Sequence, residues 1–219
     1  MKPAAAAKAG DALARCGLAL WFFFVAVVLV PQLRAASASA ASPAGLLGLF
    51  AKLALFGFCL TVVALALTRP RPLAKLAGLR PRLEAALGAF LVYALPFLPP
   101  ARRGPALEAA SGALVACGTA LALVSMLTLG RSFSVMAEAR ALVTSGPFRL
   151  IRHPLYLAEG LAALGAAIQF VWPASLALVA AQLAFQIRRI FNEETLLRRI
   201  FPEYAAYAAR TARLVPGLW

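Results

Sequence analysis

The side chains able to do chemistry crowd into two stretches of this 219-residue chain. The first is Leu142-Val-Thr-Ser-Gly-Pro-Phe-Arg-Leu-Ile-Arg-His-Pro-Leu-Tyr156, followed by Glu159, and it contains the only histidine, His153. The second runs from Arg188 to Tyr207 and contains the adjacent pair Glu193-Glu194 with Tyr204 and Tyr207. An imidazole and carboxylates are the usual carriers of protons in catalysis, and arginines such as Arg152 bind carboxylates. The sequence has no dinucleotide-binding glycine motif, no phosphate-binding loop, no Gly-x-Ser-x-Gly, no His-Glu-x-x-His and no EF-hand loop. Cys16, Cys59 and Cys117 each fall inside an apolar run without metal-ligand spacing, so they read as small core residues and no metal site is expected.

The local pattern around each stretch has two readings. Pro154 suits a first helical position, where its missing N–H is not needed. From there Tyr156, Glu159, Gly160, Ala163 and Ala167 share one helix face, small and polar at one end. That face is either a close helix-packing surface, with His153 capping or snorkelling, or a groove where a polar ligand approaches backbone. The second stretch predicts an amphipathic helix ending near Pro202, with Arg189 to Glu193 and Glu194 to Arg198 as i,i+4 pairs. A solvated ion-pair face accounts for those pairs but not for two adjacent carboxylates that the topology returns toward His153.

The elements that must position these residues are membrane helices. Of the chain, 63% is hydrophobic and 14% charged, at a mean hydropathy of +0.83. That composition excludes an ordinary water-soluble globule. Its long apolar runs do not alternate, so they predict helices and not barrel strands. Spans are expected at 17–30 with flanks, 46–67, 83–98 and 107–129. The segment 155–188 would reach about 50 Å as one helix, so Gln169-Phe-Val-Trp-Pro173 is expected to turn it into a hairpin. The first run also has the basic leader and small-residue cleavage positions of a signal peptide, although that leader is long for one. The expected fold is all-α: a polytopic membrane protein of about four spans, a C-terminal helical hairpin and an amphipathic tail. Residues 1–129 would form the scaffold and 130–219 the reactive region.

Charge sets the expected orientation. The net charge is +14, but the basic residues sit in loops between spans, which points to membrane topology and not to nucleic acid. Residues 1–16 hold three Lys or Arg, 68–82 five, 130–153 four and 186–219 six, whereas the opposite loops hold only Arg34, Arg102 and Arg103. The positive-inside rule then places the N-terminus, the 130–153 segment and the tail in the cytoplasm.

Taken together, the two stretches resemble the isoprenylcysteine carboxyl methyltransferase and phospholipid methyltransferase family of integral membrane enzymes. The resemblance rests on Leu142-Val-Thr-Ser-Gly-Pro-Phe-Arg149, Arg152-His-Pro-Leu-Tyr156, Glu193-Glu194-x-x-Leu197, Phe201, Tyr204, Tyr207 and Val215-Pro216. It covers about residues 125–216 and departs at Ala158, where many relatives have Gly. It implies a cytoplasm-facing pocket for S-adenosylmethionine formed by Arg152, His153, Pro154, Tyr156, Gly160, Glu193, Glu194, Tyr204 and Tyr207. Of the two glutamates, Glu194 is expected to face the pocket and Glu193 to support it. The methyl group would pass to a lipophilic or small-molecule acceptor (carboxylate, amine or thiol) reached from the membrane lipids. An amine or thiol acceptor must lose a proton, for which Glu159 or His153 is the available base. The alternatives are a non-enzymatic transport or assembly protein and an NADPH-dependent membrane reductase.

The basic asymmetry makes a topological prediction. Reporters inserted after Leu76 or fused to the C-terminal tail should be active on the cytoplasmic side, and one inserted after Arg102 on the outer side. An outward C-terminal reporter would remove the hairpin at Pro173.

Overall fold

In a computed structural model that describes residues 2–217, the apolar runs are helices with recognisable ends. Helix α1 covers Lys2–Ala38, and α2 covers Pro43–Thr68. Ser42 starts α2 by accepting the Gly45 N–H at 3.0 Å, with Pro43 in the first turn. A two-residue strand β1 (Ala74–Lys75) precedes α3 (Leu79–Phe90), and α4 spans Pro105–Leu129. Strand β2 (Glu138–Ala139) pairs antiparallel with β1. Then come α5 (Pro154–Ala167), α6 (Ala174–Ile200) and the short α7 (Tyr204–Ala209).

Among the described residues four helices, α1, α2, α4 and α6, are long and apolar enough to cross a membrane. The expected span at 83–98 is different: α3 has 12 residues and continues as a 3-10 run, Leu91–Phe97, with Pro96 inside it. Together they still join the two ends of the bundle. Glu84 of α3 meets Asn192, whereas Pro100 bridges Phe170 at the turn between α5 and α6. A proline in the run removes a donor, and the tighter 3-10 winding adds length per residue.

The hairpin turn falls where expected. Arg103 donates to the carbonyls of Ile168 (3.0 Å) and Phe170 (2.8 Å) and lies over the Trp172 ring at 4.2 Å. The arm and the tail helix, expected as separate pieces, form one helix, α6. Its 27 residues reach about 40 Å, so one end projects past a ~30 Å hydrocarbon core. At the motif-bearing end of the bundle, Arg15 donates to the Arg69 carbonyl (2.8 Å) and Lys75 pairs with Asp11 and Glu138. The N-terminal part of α1, the β1–β2 pair and the polar half of α6 therefore share one end.

A continuous apolar cluster runs from Phe22 and Ala26 of α1 through Cys59 and Val62 of α2 and Met126 of α4 to Leu155 and Ala158 of α5. Of the cysteines read as core residues, only Cys59 is buried; Cys16 and Cys117 lie on outward faces. A span meets acyl chains on its outer face, so apolar residues are equally at home on either side.

Small residues bring α4 and α5 together. A Cβ on Gly118 would stand 2.6 Å from the Ala162 nitrogen and 2.7 Å from the Ala158 carbonyl oxygen. Ser111 donates to the Gly165 carbonyl at 2.8 Å across the same seam. The departure from the family pattern at Ala158 thus falls in helix packing. Gly118→Leu should lower the thermal midpoint in detergent by an amount equivalent to about 1–3 kcal/mol or more. Gly48→Ala, where an added Cβ meets nothing within 4 Å, should not.

Candidate functional site

The two chemistry-bearing stretches meet around the carboxylate of Glu194, whose side chain is 4% exposed. Arg152 Nε donates to its Oε1 at 2.9 Å, and the His153 Nε2 lies 3.4 Å from the same oxygen. Arg213 Nε approaches both oxygens at 3.2 and 3.3 Å, and Arg198 stands 3.6 Å away on the next turn of α6. Arg152 also donates from Nη1 to the carbonyls of Ala208 (2.8 Å) and Thr211. The backbone adds to this: Arg152 N–H donates to Ala212 O and His153 N–H to Arg213 O. The tail is thereby held against the start of α5.

Pro154 is the first residue of α5, as expected, but His153 makes no side-chain cap. Its ring turns toward α6, with Nδ1 3.8 Å from Glu193 and the ring 5.5 Å from that of Tyr156. The Ser-Gly-Pro turn ahead of it uses Gly146 at φ +55°, a conformation that L side chains rarely adopt. The Tyr156 hydroxyl donates to Glu193. Beside these residues opens a pocket lined by Arg152, His153, Tyr156, Glu193, Tyr204 and Tyr207, with Phe133, Arg140, Leu142 and Phe148 facing them.

The lining reverses the expected order of the glutamates. Glu193, 24% exposed, belongs to the pocket wall, while Glu194 is turned into the arginine cluster behind it. Glu159 and Gly160 are not part of the lining. Glu159 accepts from Gln186 at 2.8 Å and stands 3.7 Å from Arg189, and Gly160 packs against Leu183. Ala163 and Ala167 are fully buried against Leu95 and Val179. The face starting at Tyr156 is therefore site at its first turn and helix packing beyond it. The Glu194–Arg198 pair forms as expected, but Arg189 is buried, lies over the Tyr156 ring at 4.6 Å and donates to the Val135 carbonyl.

Sequence reasoning placed 130–219 in the reactive region but singled out none of the lining residues between 129 and 141. There Glu138 accepts from Ser134 (2.8 Å) and Arg140 (2.7 Å) and pairs with Lys75 at 3.0 Å. Burial raises the Glu138 carboxyl, but these donors outweigh it and hold the group below the usual carboxylate range. The Glu138-x-Arg140 spacing was the available signal, and it has no motif specificity. Burial pushes the Tyr207 hydroxyl up to about 12, so it stays protonated and donates to the Phe148 carbonyl at 2.7 Å. Among the described residues, no group of three or more His, Cys, Asp or Glu is placed to hold a metal ion.

The two glutamates should separate by readout. Glu194→Gln leaves Arg152 and Arg213 facing a neutral amide, and breaking a buried pair costs about 3–5 kcal/mol, measurable as a fall in thermal midpoint. Glu193→Gln, on the pocket wall, should change stability by under about 1 kcal/mol. Because Glu138 is more acidic folded than unfolded, its contribution is complete above about pH 4.3 and lost as pH falls through the folded value. Glu138→Gln should flatten that acid limb of the stability profile.

Two relatives match part of the chain. The chain is 36% identical over 101 residues to the nickel-cobalt-cadmium resistance protein NccN of Alcaligenes xylosoxydans xylosoxydans, covering 43% of this chain and 47% of that protein. It is 36% identical over 100 residues to the cobalt-zinc-cadmium resistance protein CzcN of Cupriavidus metallidurans, covering 43% and 46%. The chain spans about half the length of these relatives. Residues 107–204, from the first turn of α4 to the start of α7 and including His153, Tyr156, Glu193 and Glu194, match the family model of the phospholipid methyltransferases, as the resemblance of the two stretches implies.

Proposed function

We propose that the chain is an integral membrane methyltransferase that uses S-adenosylmethionine and acts on a lipophilic or small acceptor, with its pocket at the cytoplasmic end of the bundle. The observation that carries this reading is the meeting of the Arg-His-Pro-x-Tyr and Glu-Glu stretches at one pocket, 37 residues apart between Tyr156 and Glu193.

The donor set fits a ligand that has a carboxylate at one end and hydroxyl and ammonium groups elsewhere. Arg152 was the expected carboxylate partner, but its Nε and Nη1 are engaged by Glu194 and two carbonyls. Arg140 is a second cation on the lining: its Nε and Nη2 are engaged by the Pro70 carbonyl and Glu138, and its buried Nη1, without a hydrogen-bond partner, is the donor left for a ligand carboxylate. Glu193 would accept from the amino group or ribose hydroxyls, and Phe133 and Phe148 supply apolar wall. The cofactor's sulfonium is itself the electrophile, so the protein's task is orientation and exclusion of water. His153 and Glu193 stand together on the wall and would take the proton of an amine or thiol acceptor. Glu159, the other candidate base, is held outside the lining by Gln186 and Arg189. Arg213 ties the tail that carries Tyr204 and Tyr207 to Glu194.

Calorimetric titration of the purified protein with S-adenosylhomocysteine tests the proposal. We expect saturable binding, no binding of NADPH, and an affinity loss of about ten- to a hundredfold in Glu193→Gln and in Arg140→Gln. A folded parent protein that takes NADPH and ignores S-adenosylhomocysteine would sink it.

A further inference from the structure

A second charged site lies on the α1 side of the 134–136 segment, and its centre is Arg69. Arg69 is 6% exposed, its Nε has no hydrogen-bond partner, and its one side-chain bond is a long 3.4 Å contact from Nη1 to the Ser134 hydroxyl. The nearby carboxylates are taken by other cations. Asp11 pairs with Arg15 (2.7 Å) and Lys75 (3.1 Å), and Glu138 with Arg140 (2.7 Å) and Lys75 (3.0 Å). Among the described residues no carboxylate lies within 4.0 Å of the Arg69 guanidinium, and Arg15 Nε is likewise buried without a partner. A buried cation without a counter-charge is rare unless something anionic completes the site.

Two cavities meet at this arginine. One has Lys75 and Arg82 on its wall together with the already paired carboxylates of Asp11 and Glu138; the other is an apolar groove formed by Gly17, Leu18 and Trp21 of α1, Phe90 of α3 and Val135. Arg69 lines both. Trp21 packs edge-on against Phe90 and Tyr93, at 6.4 and 5.3 Å, where the groove meets α3. A ligand filling both cavities has an anionic head and an apolar tail.

We infer that Arg69 holds the phosphate of an anionic phospholipid, with an acyl chain in the groove between α1 and α3. Inorganic phosphate would make no use of the apolar wall. A zwitterionic headgroup would bring its ammonium beside Lys75 and Arg82, where the carboxylates of Asp11 and Glu138 are already paired with Arg15, Lys75 and Arg140, so the site selects a head without one. The site sits at the end of the bundle that holds the basic loops, where an anionic leaflet would meet it. The inference does not depend on methyl transfer, because this lipid is a resident partner without an amine to accept a methyl group. Ser134 and Met136 line both the groove and the candidate pocket, so an occupied groove would brace one wall of that pocket.

The test is titration of the full chain in neutral detergent with phosphatidylglycerol brominated on its acyl chains, read as quenching of tryptophan fluorescence. Saturable quenching is expected, lost in Trp21→Phe, with brominated phosphatidylcholine weaker by about tenfold or more and inorganic phosphate failing to displace the lipid. Arg69→Gln should weaken binding by a similar factor. Gly17→Leu should do so as well, and it is the safer variant, because an added Cβ there meets nothing within 4 Å. Equal affinity for the two lipids, displacement by phosphate, or parental affinity in Gly17→Leu would overturn the inference, whatever the result with S-adenosylhomocysteine.

Discussion

One carboxylate, that of Glu194, organises the reactive end of this protein. Arg152 and His153 reach it from the start of α5, Arg198 from its own helix and Arg213 from the tail. Taking a charge out of water is costly unless its partners are close and directed, and here several cations converge on one anion. The arrangement ties three chain segments into a fixed relation. The pocket wall then follows, because fixing Glu194 turns its neighbour Glu193 about 100° around the helix, toward Tyr156. A buried residue behind the wall sets the geometry of a half-buried residue on it.

That charged end works only because the rest of the bundle is apolar and closely fitted. Lipid offers helices no hydrophobic reason to associate, so contact depends on small residues and a few hydrogen bonds. Gly118 and Gly165 let α4 and α5 touch along their backbones, and Ser111 bonds across that seam. Gly88 does the same for α3 against α6, where a Cβ would stand 2.7 Å from Arg189 Cδ. The last of these contacts links scaffold to site, since Arg189 lies over the Tyr156 ring. The helices that show no reactive groups thereby define where the reactive ones stand.

The same end of the bundle gathers most of the cations, and they are used unequally. Around Glu194 and Glu138, each arginine has a carboxylate within reach. Among the described residues Arg69 has none, and it lies beside an apolar groove. A membrane methyltransferase of the proposed kind would have use for both kinds of site, one to orient a cofactor and one to anchor the surrounding lipid.

Much of this was legible in the residues themselves. Hydropathy and length required membrane helices, Pro154 marked a helix start, and the excess length of 155–188 required a turn near Pro173, because these depend on local composition and on the fixed rise of a helix. The pairing of the two stretches was legible as well, through topology and resemblance. The sequence did not show that 83–98 would be a short helix with a 3-10 extension, nor that α6 would continue unbroken into the tail. It also did not show that Glu193, not Glu194, would line the pocket. Each of these depends on what packs against the residue. The two glutamates have the same chemistry and differ only in helical phase, and that phase was set by Arg152 and Arg213, which lie 42 and 19 residues away in the chain. Arg140 and Arg69 were equally invisible. A cation in a basic loop reads as solvated until the tertiary structure buries it and leaves one of its donors without a partner.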